Sequence, residues 1–221
     1  MIRGQLLARR WPDRGAWRFS CRPDAHAIAE PAIWLASQSP TTIILEPAGP
    51  GLATIPTSRI LGGHNIRVDR ASAEGRHLVL ADAHGFHRLL LPSAAQDSGI
   101  AYVLAPDSWL EIRTAAVIRF HRHLTGLPPS PSPPGLCPTR FQRNRLVMML
   151  RILDDLSCKD GMGLSTREIA RRHVYPNTRF DRAIEWKSSS ERRRTQRLIE
   201  EARQLMNGGY LSLLKGIPHP G

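Results

Sequence analysis

The sequence predicts an α+β protein in two parts: a small, mostly antiparallel β domain at the N-terminus and a helix-turn-helix-like helical domain at the C-terminus. Three observations point there. Short alternating or β-branched runs crowd residues 17–105. After residue 138 the apolar positions recur instead at steps of three and four. Between them lies Leu127-Pro128-Pro129-Ser130-Pro131-Ser132-Pro133-Pro134-Gly135, too proline-rich for a helix interior or a central strand. The expected boundaries are residues 1–126 for a β-rich domain with a closing helix, 127–137 for an extended linker, and 138–221 for a helical DNA-binding domain.

In chain order, Trp17 and Phe19 alternate with Arg18, which suits a strand with one buried face, and Trp34 and Leu35 are expected core anchors. Thr41 to Pro47 is a β-branched strand that a proline ends. Pro50, Gly51, Pro56, Gly62 and Gly63 predict a loop. Asn65 to Asp69 alternates as a half-buried strand does. His77 to Asp82 and His87 to Pro92 read as a hairpin around Ala83-His84-Gly85-Phe86, and Ala101 to Ala105 adds a strand. Asp107 or Ser108, with Glu111, should then cap a helix whose inner face is Leu110, Thr114, Val117, Ile118, His121 and Leu124, ended by Gly126.

Beyond the linker a helix should run from Pro138 to about Ser157, with Phe141, Leu146, Met149, Leu150 and Leu153 as its core stripe. Ser165 and Glu168 have capping-box spacing, in which hydroxyl and carboxylate satisfy each other's exposed amides. Ser188 and Glu191 repeat it. Leu198, Ile199, Ala202, Leu205 and Met206 then share one helical stripe, and Asn207-Gly208-Gly209 ends it because glycine accepts the left-handed conformation.

Opposite that stripe lie Arg193, Gln196, Arg197 and Glu200, with Arg192 and Arg194 beside them in the first turn. The helix dipole is positive at that end and disfavours arginine there. Phosphates or guanine edges supply a reason for three in a row. Arg192, Arg193, Gln196 and Arg197 are the expected base readers, with Arg194 beside them. Lys187, Ser188, Ser189 and Ser190 precede a helix N-terminus, where amides and dipole favour phosphate. Thr166, Arg167, Arg171 and Arg172 sit on the preceding helix, which in such readers crosses the backbone.

Ser165 to Ala170, Trp186 to Ser189, Arg192 to Arg197 and Leu205 to Leu214 carry a resemblance. The chain is similar to an alphaproteobacterial domain-of-unknown-function family with a C-terminal "L-M-x-G-G-Y-x-x-L-L" signature. That family includes regulators of excision and transfer of integrative and conjugative elements, both activators and antiactivators. The resemblance implies a DNA-binding transcriptional regulator. Tyr175 to Glu185 departs from a simple helix-turn-helix, whose turn needs only about three or four residues.

Composition agrees. Net charge is +12, and residues 136–221 hold 17 basic against 9 acidic side chains. Such a domain attracts polyanions. Cys21, Cys137 and Cys158 are widely spaced and odd in number, which argues against a disulfide framework and fits a reducing cytoplasm. No run approaches the roughly 18 apolar residues of a membrane span. His77, His84 and His87 fall on the hairpin and His121 and His123 on a helix, without metal-ligand spacing, so no metal or cofactor is expected. Asp154-Asp155 and Glu200-Glu201 read as solvated charges, and no nucleophile and base can be paired, so no enzyme is expected. The expected partner is double-stranded DNA. RNA polymerase, another copy of the chain or a regulatory protein would meet the N-terminal domain. The competing reading is an antiactivator whose arginines grip another regulator's acidic side chains.

Overall fold

The computed structural model describes residues 16–18, 28–62, 65–72, 74–92, 99–132, 134–157, 163–178 and 183–216. The expected N-terminal strand survives as β1 (Ala16–Arg18), which pairs with β2 (Ile33–Trp34); Phe19 lies outside the described residues. Two compact units emerge: Met1–Cys137 with Leu211–Gly221, and Pro138–Tyr210. The sequence reading ends the helical domain at Gly221, whereas Leu211–Gly221 clusters with the first unit.

The first unit is a six-stranded sheet in the order β4-β8-β3-β7-β6-β5. Its strands are β3 (Thr42–Pro47), β4 (Ile55–Pro56), β5 (Asn65–Ser72), β6 (Gly75–Asp82), β7 (Gly85–Leu91) and β8 (Gly99–Val103). Every pairing is antiparallel except β3 with β7. Asp82 pairs with Gly85, so the β6–β7 turn is two residues, and Gly85 takes φ +135 where a side chain would strain. Two-residue periodicity sends Leu78, Leu80, Leu89 and Leu91 to the core with Ile43, Leu45, Ile60 and Ile100.

Helix α2 (Leu110–Thr125) covers that core through Phe120 and Leu124. Its inner face matches the expected one only in part: Leu124 is buried and Val117 packs on the core. Leu110 and Ile118 are 41% and 46% exposed, and Arg113 is buried instead. Asp107 makes that burial tolerable: its carboxylate takes Arg113 Nη2 at 2.8 Å and the Trp109 amide at 2.9 Å. The arginine hydrogen bond is the chief reason that this carboxyl lies below its ordinary range. Trp109 is the N-cap and makes no side-chain cap bond, so neither Asp107 nor Ser108 caps the helix directly. Gly126 stops it at φ 70, as expected. The stretch read as loop holds β4 and the short helix α1 (Thr57–Gly62), whose Ile60 is fully buried.

The second unit is helical. α3 (Arg140–Leu156) starts at a capping box formed by Thr139 and Gln142. Met149 is buried as expected and Ile152 joins it, whereas Phe141 and Leu150, expected on the same stripe, are 73% and 61% exposed. α4 (Thr166–Ile169) continues as a wide turn, Ala170–Val174, closed by Tyr175 N–H to Ala170 C=O at 2.7 Å. α5 (Ala183–Ser188) begins within the Tyr175–Glu185 join and runs beyond it to Ser188. α6 (Ser190–Gln204) continues as a second wide turn to Gly209, where Gly208 breaks the helix at φ 131; α7 (Tyr210–Leu214) follows, with Leu211 onward in the first unit.

Candidate nucleic-acid interface

α6 is the hub of the second unit: α3, α4 with its wide turn, and α5 all pack against it. Thr195, Leu198, Ile199, Ala202 and Leu205 are buried along one stripe. Met206, expected on that stripe, is 47% exposed, because the wide turn rotates it away from the 3.6-residue period. The Thr195 hydroxyl escapes an unsatisfied burial by donating to Glu191 C=O at 2.8 Å. The opposite face carries Arg193, Arg194, Gln196, Arg197 and Glu200, all exposed. Among the described residues no ion pair engages Arg193, Arg194 or Arg197.

The helix start is one residue later than the sequence suggested. Ser189, not Ser188, is the N-cap; its hydroxyl accepts from Arg192 N–H at 3.1 Å and donates to Trp186 C=O at 3.0 Å. Ser188 is the last residue of α5. The reason is Trp186, which is 8% exposed and anchors α5 in the core, so a single residue separates the two helices. Ser190 is exposed, and its hydroxyl donates to Glu191 Oε2. Glu191 sits in the first turn, and backbone and serine hydrogen bonds hold its carboxyl below the ordinary range.

The proposed contacts thus separate by environment. Lys187, Ser190, Arg193, Arg194, Gln196 and Arg197 present exposed side chains around the start of α6. Arg192 is half-buried and donates to Lys187 C=O at 2.8 Å, closing the end of α5. On α4 the capping box forms as expected, with Ser165 N–H donating to Glu168 Oε2 at 2.8 Å. The Ser165 hydroxyl is the main cause of a lowered Glu168 carboxyl. Thr166 and Arg167 are half-buried, and Arg171 is exposed.

Arg172 reaches Asp155 Oδ1 at 3.1 Å, and His173 Nε2 meets Oδ2 at 2.6 Å. Asp155 is therefore no solvated charge but the tie between α3 and the wide turn. Glu201 is similarly engaged: Arg145 grips it with two nitrogens, one at 3.2 Å. Adjacent carboxylates diverge on a helix, so one of each pair turns inward while Asp154 and Glu200 stay exposed. Sequence reasoning passed over Gln204, whose Nε2 donates to Glu200 Oε1 at 3.3 Å. It lies four residues beyond Glu200 on the arginine face, and helical spacing alone would have found it.

A family model described as "T6SS, Transcription factor, DNA binding domain", of the RovC type, matches residues 103–215, half of the chain. The chain belongs to this family. The RovC-type match encloses every residue of the candidate interface and places α6 and its neighbours in a transcription factor's DNA-binding domain. A second model, a domain of unknown function designated DUF7012, matches residues 41–102 and so covers β3 to β8 short of its last residue. The comparisons with curated proteins and with solved structures give no match. No helix among the described residues is long and apolar enough to cross a membrane.

Proposed function

We propose that this RovC-type protein regulates transcription by reading double-stranded DNA with the arginine face of α6. One observation carries the reading: Arg193, Arg194 and Arg197 stand exposed along the first half of a helix whose other face is buried in the core, and no carboxylate of the described residues pairs with them. Arginines so placed gain most from an external anion or a guanine edge. Lys187 and Ser190 contact the backbone beside them, Arg193, Gln196 and Arg197 meet base edges, and Arg171 on α4 holds a neighbouring phosphate.

The regulated genes are those for excision or transfer of a mobile element, with the protein as their activator; the similarity of residues 165–214 to regulators of such elements supports this. It acts by binding rather than catalysis. The β unit docks RNA polymerase, a second copy or a regulatory protein.

Replacing Arg193 and Arg197 with alanine tests the interface. Each lost bidentate base contact should cost about 1–3 kcal/mol of specific affinity. Each lost phosphate contact should instead flatten the logarithmic salt dependence by about 0.9. An unchanged gel shift in the double variant contradicts the assignment.

A further inference from the structure

In the first unit, three donor side chains distant in sequence or element converge. Asp82 ends β6, His87 is the third residue of β7, and His123 lies in the last turn of α2. Strand alternation puts His87 on the same face as Leu89 and Leu91, toward α2. The His87 and His123 rings stack with centroids 5.1 Å apart and planes at 27°. His87 Nε2 is 2.7 Å from Asp82 Oδ2. One ligand atom from each of the three lies within 4.8 Å of the others.

We propose that Asp82, His87 and His123 bind a zinc-type divalent transition-metal ion that staples the β6–β7 hairpin to α2. Two imidazoles and one carboxylate select such an ion over calcium or magnesium, which prefer oxygen alone. Three protein ligands leave the fourth tetrahedral position open. That position has a place: an open cleft of about 300 Å³, lined by His84, Arg119, Leu127 and Pro129 among others, adjoins Asp82 and His123. Bonds of about 2.0–2.1 Å would draw the donors together by small side-chain rotations. Sequence spacing hid the set, because it takes one ligand from a helix 36 residues beyond His87.

Arg119 Nη2, at 3.3 Å from Asp82 Oδ1, fills the cation's role and must swing into the cleft when metal arrives. Arg119 is thus a built-in competitor for the site.

The test uses the full chain, stripped with chelator and titrated with Zn²⁺ by calorimetry, with Co²⁺ absorption reporting coordination. One Zn²⁺ per chain is expected, with a raised thermal midpoint. His123→Ala and Asp82→Asn should lose that binding, and Arg119→Gln should tighten it several-fold while leaving the fold intact by circular dichroism. A wild-type chain that takes up no Zn²⁺ overturns the proposal. So does uptake that persists unchanged in His123→Ala, or an Arg119→Gln variant whose affinity equals the wild type.

Discussion

The Arg145–Glu201 pair fixes α6 against α3, and Arg145→Ala measures how firmly. The Glu201 side chain is 18% exposed and accepts from Arg145 Nε at 3.2 Å and again from Nη2. Exposed ion pairs contribute only about 0–1 kcal/mol. Breaking a buried pair costs about 3–5 kcal/mol, because it strands the remaining charge. With Arg145 28% and Glu201 18% exposed, this pair falls between, at about 2 kcal/mol. Urea unfolding of the full chain, followed by the helical circular dichroism signal, should show that loss. Adding Glu201→Gln should cost little more, since the stranded charge is then gone. Glu201 turns inward from the arginine face proposed to meet DNA, so folded Arg145→Ala protein should bind DNA as the wild type does. A loss under about 0.5 kcal/mol, the scatter of ordinary surface substitutions, would show that packing alone seats α6.

Ser189→Ala should destabilise the second unit by about 1 kcal/mol as a lost N-cap, whereas Ser188→Ala should be near neutral; urea midpoints of the two variants distinguish the registers. His77 is 2% exposed, and burial lowers its pKa, so the folded chain resists a proton that the unfolded chain accepts. Its stability contribution is therefore complete above the unfolded value of about 6.5 and falls as pH drops through it. Comparing urea midpoints at neutral and mildly acid pH should show His77→Gln flattening that decline.

Much of the fold was legible where one local rule decided it. Leu78, Leu80, Leu89 and Leu91 obey the two-residue period, and one face is covered, so strands and hairpin followed directly. Gly126, Gly208 and the Ser165–Glu168 box marked helix ends because their chemistry is short-range. What failed depended on distant partners. The parallel β3–β7 pairing joins segments some forty residues apart and leaves no local trace. α2 kept only part of its expected inner face because Phe120 found the sheet core and Asp107 made a buried Arg113 acceptable. Phe141 looked like core by residue type, yet it is exposed and α3 buries Ile152 beside the expected Met149.

The same division holds at the candidate interface. The apolar stripe of α6 placed Arg193 and Arg197 on the open face without any structure, since period 3.6 leaves no other side for them. Arg192 and Ser189 were not separable from their neighbours in sequence. Their roles follow from α5 ending one residue before α6, which the burial of Trp186 imposes. Asp155 and Glu201 looked solvated because their cationic partners lie on other parts of the chain.

Selection of a randomised duplex library by the full chain tests the central claim most directly. One enriched motif containing guanine is expected, retained at about 50 mM salt and weakened steeply toward 200 mM. In the Arg193→Ala, Arg197→Ala variant the guanine preference should vanish while weak binding to all duplexes remains. A library that emerges unenriched, or a guanine preference that survives both substitutions, would contradict it.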